Sequence, residues 1–168
     1  MNKTIITLVL FVLLSCKKEL GTENFVLEID LYSRVSDSIH IYYLEKNSLA
    51  FSEEKSIWKS IKENNSNQII EIVFPQDIKP KQLRVDFGHN VSVQEIVINK
   101  INFNYKNNSY ALKGAEIYQF FRPDDSNTIL DSDSGLLKRK FENQKAVFSI
   151  YPKGEKLQKK LEKIYLRK

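Results

Sequence analysis

The stretch FVLEIDLYSRV, residues 25–35, decides the fold class. Phe25, Leu27, Ile29, Leu31 and Val35 fall on one side of an extended chain. Glu28, Asp30, Tyr32 and Arg34 fall on the other. A period of two marks a strand with one face in a core and one in water. The pattern recurs along the chain. IHIYYL, 39–44, sets Ile39, Ile41 and Tyr43 against His40 and Tyr42. QIIEIVF, 68–74, is a strand that Pro75 ends. QLRVDFG, 82–88, places Leu83, Val85 and Phe87 inward, with Arg84 and Asp86 outward and Gly88 at a turn. KAVFSIY, 145–151, reads as a last strand.

Three stretches are less regular. KSIWKSIK, 55–62, reads as a strand with Ile57 and Ile61 inward, or as a helical turn. In VSVQEIVINKINFNY, 91–105, the apolar phase moves from even positions (Ile96, Ile98) to odd ones (Ile101, Phe103, Tyr105). A bulge or a tight turn near Asn99-Lys100 accounts for the shift. Between Ala115 and Leu137 the pattern weakens. The chain closes with EKLQKKLEKIYLRK, whose Leu157, Leu161, Ile164 and Tyr165 line one side of a helix. Eight or nine short strands, with no helices of 10–15 residues between them, argue for an all-β antiparallel β-sandwich with a C-terminal amphipathic helix. The sandwich is expected over 25–151 and the basic helix over 152–168. That helix has three readings: its apolar stripe docks on the sandwich, it lies on an anionic membrane, or it binds a partner protein.

Residues 1–15 read as a leader. Lys3 supplies a positive start, and Ile5 to Leu14 form an apolar run of ten. That run is too short to span a bilayer, which takes roughly 20 residues, and it suits the apolar region of a secretory signal. Leu13-Leu14-Ser15-Cys16 resembles the lipobox of bacterial lipoproteins. In that family the cysteine sulfur receives a diacylglyceryl group, and cleavage before the cysteine follows. The resemblance therefore implies lipidation at Cys16, an anchor of fatty-acyl chains such as palmitate, and a domain held outside the cytoplasm at the cell envelope. Cys16 is the only cysteine of the chain, so no internal disulfide competes for it. KKELGTEN, 17–24, is polar and reads with Cys16 as a mobile tether, 16–24.

The net charge of +5 is unevenly placed. Residues 152–168 hold seven Lys or Arg and two Glu, so the basicity belongs to the C-terminal tail. A broad nucleic-acid-binding face is not expected.

Signatures of catalysis are missing: there is no G-x-S-x-G elbow, no H-E-x-x-H and no phosphate-binding glycine loop. The two histidines, His40 and His89, stand apart in sequence. A chain of this kind is expected not to be an enzyme and to need no cofactor. The acidic stretch DDSNTILDSDSG, 124–135, makes Asp131 and Asp133 candidate Ca²⁺ ligands, although the spacing only half matches a calcium loop. The competing reading is a solvated turn. Trp58, Tyr42, Tyr32 and Tyr118 are candidate sugar-stacking residues on outer faces or loops, because sugar C–H groups complement an aromatic π face. For Trp58, the chain's single tryptophan, the competing reading is packing beneath a loop or the terminal helix; for Tyr118, within YQFFRP, it is core packing.

From Phe51 onward, FSEEKSIWKSI, a strand, FPQDIKPKQLRVDFG and an Ile/Val-rich strand follow one another. Residues 25–150 thereby resemble extracytoplasmic β-sandwich modules of jelly-roll or galactose-binding-like type, some of which accompany surface-polysaccharide enzymes. The resemblance implies a sandwich and a sugar-related setting, and carries over no catalytic residue. Asp37-Ser38-Ile39 resembles the short O-glycosylation sequon of Bacteroidota envelope proteins. The sequence thus predicts a membrane-anchored envelope lipoprotein acting as a non-catalytic binding module for glycans. The alternative is a structural or assembly subunit that binds a protein partner.

Overall fold

The computed structural model describes residues 24–45, 50–141 and 145–166. Cys16, with the leader and most of the tether, lies outside the described residues.

The chain forms two antiparallel sheets facing each other. Strand β1 (Phe25–Tyr32) is central to the first. β4 (Gln68–Val73) pairs along one side of it and β6 (Glu95–Tyr105) along the other. β7 (Asn108–Lys113) covers the C-terminal half of β6. β10 (Leu136–Arg139) covers its N-terminal end, followed by β9 (Thr128–Asp131). The second sheet runs in the order β3 (Ser56–Ile61), β2 (Asp37–Leu44), β5 (Gln82–Phe87), β11 (Phe148–Pro152), β8 (Phe121–Pro123). The sandwich and its closing helix are as the alternating pattern predicts.

The core lies between the sheets. Phe25, Leu27, Ile29 and Leu31 of β1 are fully buried, against Ile39 and Ile41 of β2, Leu83, Val85 and Phe87 of β5, and Phe148 and Ile150 of β11. The phase shift in β6 is a bulge. Asp30 pairs with Lys100 and Leu31 with Ile98, leaving Asn99 as the extra residue. One added residue lets Ile96 and Ile98 on one side of the bulge, and Ile101 and Phe103 on the other, all face the core. Residues 56–61 are a strand, because Ile61 and Ile57 pack on the core only at a spacing of two or four in an extended chain.

Residues 117–120 form a single helical turn, α1 (Ile117–Phe120). The terminal helix α2 (Lys156–Leu166) buries Leu157, Leu161 and Ile164 against the fold, so its apolar stripe docks. Tyr165 fixes it further, its hydroxyl donating to the Pro80 carbonyl at 2.6 Å. No helix among the described residues is long and apolar enough to cross a membrane. Every described strand and both α-helices fall within 25–166.

Candidate functional site

The outward face of the second sheet carries the most concentrated chemistry. Antiparallel pairing sets Trp58 of β3 beside His40 of β2, and His40 beside Asp86 of β5. Asp86 in turn pairs with Ser149 of β11. In the next rung Tyr42 stands beside Arg84. Alternation sends each of these side chains away from the core, onto one surface.

His40 is the hub. Its ring is stacked on the Trp58 indole, with centroids 3.9 Å apart, and lies 4.0 Å from the Tyr42 ring. The residue is only 1% exposed, whereas Trp58 above it is 53% exposed. The imidazole is thus a buried floor beneath a half-open indole. His89 reaches the same cluster from the loop after β5, 4.5 Å from Trp58 and 6.1 Å from His40. That loop is pinned: the Asp37 carboxylate accepts from the Gly88 and Asn90 amides at 2.7 and 2.8 Å. Gly88 sits at φ 74, and a Cβ there would collide with the Phe148 ring.

Both imidazoles carry a buried Nε2 without a hydrogen-bond partner. For His40 that nitrogen lies 3.5 Å from Glu53 Oε2, at the margin of contact. Burial holds both histidine pKa values below the ordinary value; the Glu53 and Asp86 carboxylates near His40 oppose the shift without overcoming it. Burial thus favours the neutral form of both rings.

The polar frame around the aromatics is tied together. The Tyr42 hydroxyl donates to Glu53 Oε1 at 2.6 Å, anchoring the short turn 53–55 over β2. Arg84 donates to both oxygens of the buried Asp86 carboxylate, at 2.8 and 2.6 Å. A buried carboxylate is tolerable only with such bidentate pairing. The Arg84 guanidinium lies 4.8 Å from the Tyr42 ring centre and 4.7 Å from that of Tyr151, and Arg122 lies 5.1 Å from Tyr151. The face therefore runs from an indole, across imidazole and phenol, to a band of guanidinium and phenol.

The four aromatic residues nominated from sequence divide. Trp58 and Tyr42 meet here, joined through His40, but Tyr42 is a correction as a stacking residue: it is buried at 9% exposure beneath the 53–55 turn, and only Trp58 presents an open ring. Tyr32 lies elsewhere, at the far end of β1. Its hydroxyl accepts from Arg34 Nε at 2.8 Å, and it lines a groove of about 450 Å³ with Val35, Glu95 and Leu136. Tyr118 is a correction: it is buried, its hydroxyl donating to the Gly135 carbonyl at 3.0 Å. The reason is local. Residues 117–120 coil instead of alternating, so Ile117, Tyr118 and Phe120 all turn inward.

The acidic stretch serves a turn. Asp131 Oδ1 accepts from the Asp133 amide at 3.1 Å and Oδ2 from the Ser134 hydroxyl at 2.7 Å. Those hydrogen bonds favour the ionised form and lower the Asp131 pKa. Among the described residues no group of three or more His, Cys, Asp or Glu side chains could hold a metal ion.

Sequence reading missed His40, His89, Glu53 and the Arg84–Asp86 pair as members of one site. Strand alternation puts His40, Tyr42, Arg84 and Asp86 on outward faces, but only the order of strands makes them neighbours.

No protein-family model, no curated protein and no solved structure matches this chain.

Proposed function

We propose that this protein is a lipid-anchored envelope module that binds glycans without catalysis, through the outward face of its second sheet. The observation that carries the reading is Trp58: a half-exposed indole, held flat by a stacked, buried imidazole. A sugar ring stacks on such a surface with little ordering cost, because the indole is already fixed. The rim offers directional groups of the kind that select hydroxyl patterns: the exposed Glu53 carboxylate and the Arg122 guanidinium. The resemblance to extracytoplasmic jelly-roll modules points the same way. The Leu13-Leu14-Ser15-Cys16 motif supports attachment through Cys16, which would keep this face at the cell envelope.

The test is a glycan-binding screen of the chain from residue 16 onward, with Cys16→Ser, beside its Trp58→Ala variant. Binding that the variant loses supports the reading. Binding that survives in Trp58→Ala places the site elsewhere, and binding to no glycan rejects the sugar reading. A second reading, a protein-binding assembly subunit, draws on β4. It is an edge strand whose Ile69 and Val73 are exposed, a surface suited to pairing with another chain.

A further inference from the structure

The end of the sandwich where the chain enters the fold has a character of its own. β1 starts at Phe25, and Phe25 pairs with Tyr105 at the end of β6. The Tyr105 ring has two ammonium groups about it: Lys79 Nζ lies 5.2 Å from the ring centre and Lys106 Nζ lies 5.7 Å from it. Neither lysine has a carboxylate partner among the described residues. The carboxylates on the same segments are Asp77 and Glu162, and Glu162 is engaged by Lys81 and Gln158. The two lysines line a concavity of about 460 Å³ with Asn107, Asn108 and Tyr165, and Leu166 at its lip is 80% exposed.

Lys106 also occupies a position that suits a different residue. It begins the two-residue connection between β6 and β7 with φ 53, a backbone region in which glycine is unstrained and lysine is not.

We infer that this end of the fold is a docking site for anionic phospholipid, with Lys79 and Lys106 closing on a headgroup phosphate and Leu166 entering the acyl boundary. The inference goes beyond the sugar-binding reading and does not need it; its choice of occupant rests on the Cys16 anchor proposed above. A phosphate in the concavity that both lysines line would meet two cations, and an apolar residue beside them matches a headgroup's lower edge. Placement favours a membrane as the occupant. Eight residues, 17–24, separate Cys16 from Phe25, a reach of at most about 30 Å, so a lipid on Cys16 would hold this end nearest the bilayer. The charge distribution agrees. The helix α2 that supplies Tyr165 and Leu166 to the concavity also exposes Lys156 and Lys163. At the opposite end of β1, by contrast, the cations have carboxylates beside them: Lys138 pairs across the strands with Glu95, and Arg34 and Glu95 line one groove.

The test is co-sedimentation of the unlipidated chain from residue 16 onward, carrying Cys16→Ser, which contains every described element. Two vesicle types are compared: phosphatidylcholine alone, and phosphatidylcholine with about a third phosphatidylglycerol. The expected result is binding to the anionic vesicles only, weakened by added salt. Replacing Lys79 and Lys106 together by Gln is expected to weaken it about 25-fold, from about fivefold for each lysine. Lys59→Gln with Lys62→Gln removes the same charge elsewhere and is expected to change binding far less. Lys106→Gly separates folding from binding: it relieves the backbone, so thermal stability is expected to hold or rise while vesicle binding falls. Equal losses in the two double variants, or no binding to anionic vesicles, would overturn the inference. Equal competition by millimolar glycerol 3-phosphate would also overturn it, because the site would then belong to a soluble phosphate.

Discussion

Replacing His40 tests the central arrangement, because the chain's single tryptophan sits on that ring and reports on it directly. His40→Ala removes two ring contacts, with Trp58 and with Tyr42, worth about 1 kcal/mol each beyond area burial. It also deletes a buried Nε2 that has no hydrogen bond, which returns about 1 kcal/mol. The space left under the indole adds back a similar cost, since the two-sheet frame cannot close over it fully. The net expectation is a loss of about 2 kcal/mol, or a drop in thermal midpoint of about 4–8 °C for a domain of this size. His40→Phe keeps a ring under the indole and removes the unpaired nitrogen. It is expected to stay within about 1 kcal/mol of the parent. The assay is urea unfolding followed by Trp58 emission. The native emission of His40→Ala is expected to shift to the red, as the indole loses its floor, and that of His40→Phe is not. Equal stability and equal emission in His40→Ala and the parent would refute the idea that this imidazole positions Trp58.

Acid weakens the same cluster. The folded His40 and His89 have pKa values lowered by burial, while in the unfolded chain both titrate near about 6.5. Below that value the unfolded state binds more protons, so stability is full above it and falls as pH drops toward the folded values. Thermal midpoints measured between about pH 8 and 5 are expected to fall on the acid side, and to fall less in His40→Phe. Arg139 is a staple: its guanidinium donates to the carbonyls of Val93, Ala146, Gly88 and Asn90, and so holds the loop that carries His89. Arg139→Met leaves those buried carbonyls short of a donor and is expected to cost about 3–5 kcal/mol in chemical denaturation. Leu161→Ala, at the centre of the docked helix stripe, is expected to cost about 2–4 kcal/mol, measured the same way.

Much of the fold was legible because strands with one buried face write their geometry into alternation. Phe25 to Leu31, Leu83 to Phe87 and the phase shift at Asn99 all predict what the sheets do. Residues 115–137 were not legible, because short elements there change period within a few residues. Tyr118 was misplaced for that reason: one helical turn carries Ile117 and Tyr118 inward together. The site was half legible. Trp58 could be placed on the outward face of its strand, between two inward isoleucines. Its partners come from β2, from β5 and from a loop beyond it, and strand order is a property of the whole chain. Nothing local in NVSVQ or DFGHN announces that Asp37 pins the 88–90 loop and delivers His89 to Trp58.

The most direct test of the sugar-binding face is the emission of Trp58 in the unlipidated chain during titration with a pool of host and bacterial oligosaccharides, with calorimetry on the same samples. The account predicts a saturable blue shift that tracks the heat of binding, as a sugar ring covers the exposed half of the indole. Heat of binding with unchanged Trp58 emission would contradict it and place the ligand elsewhere; no heat with any oligosaccharide would contradict sugar binding altogether.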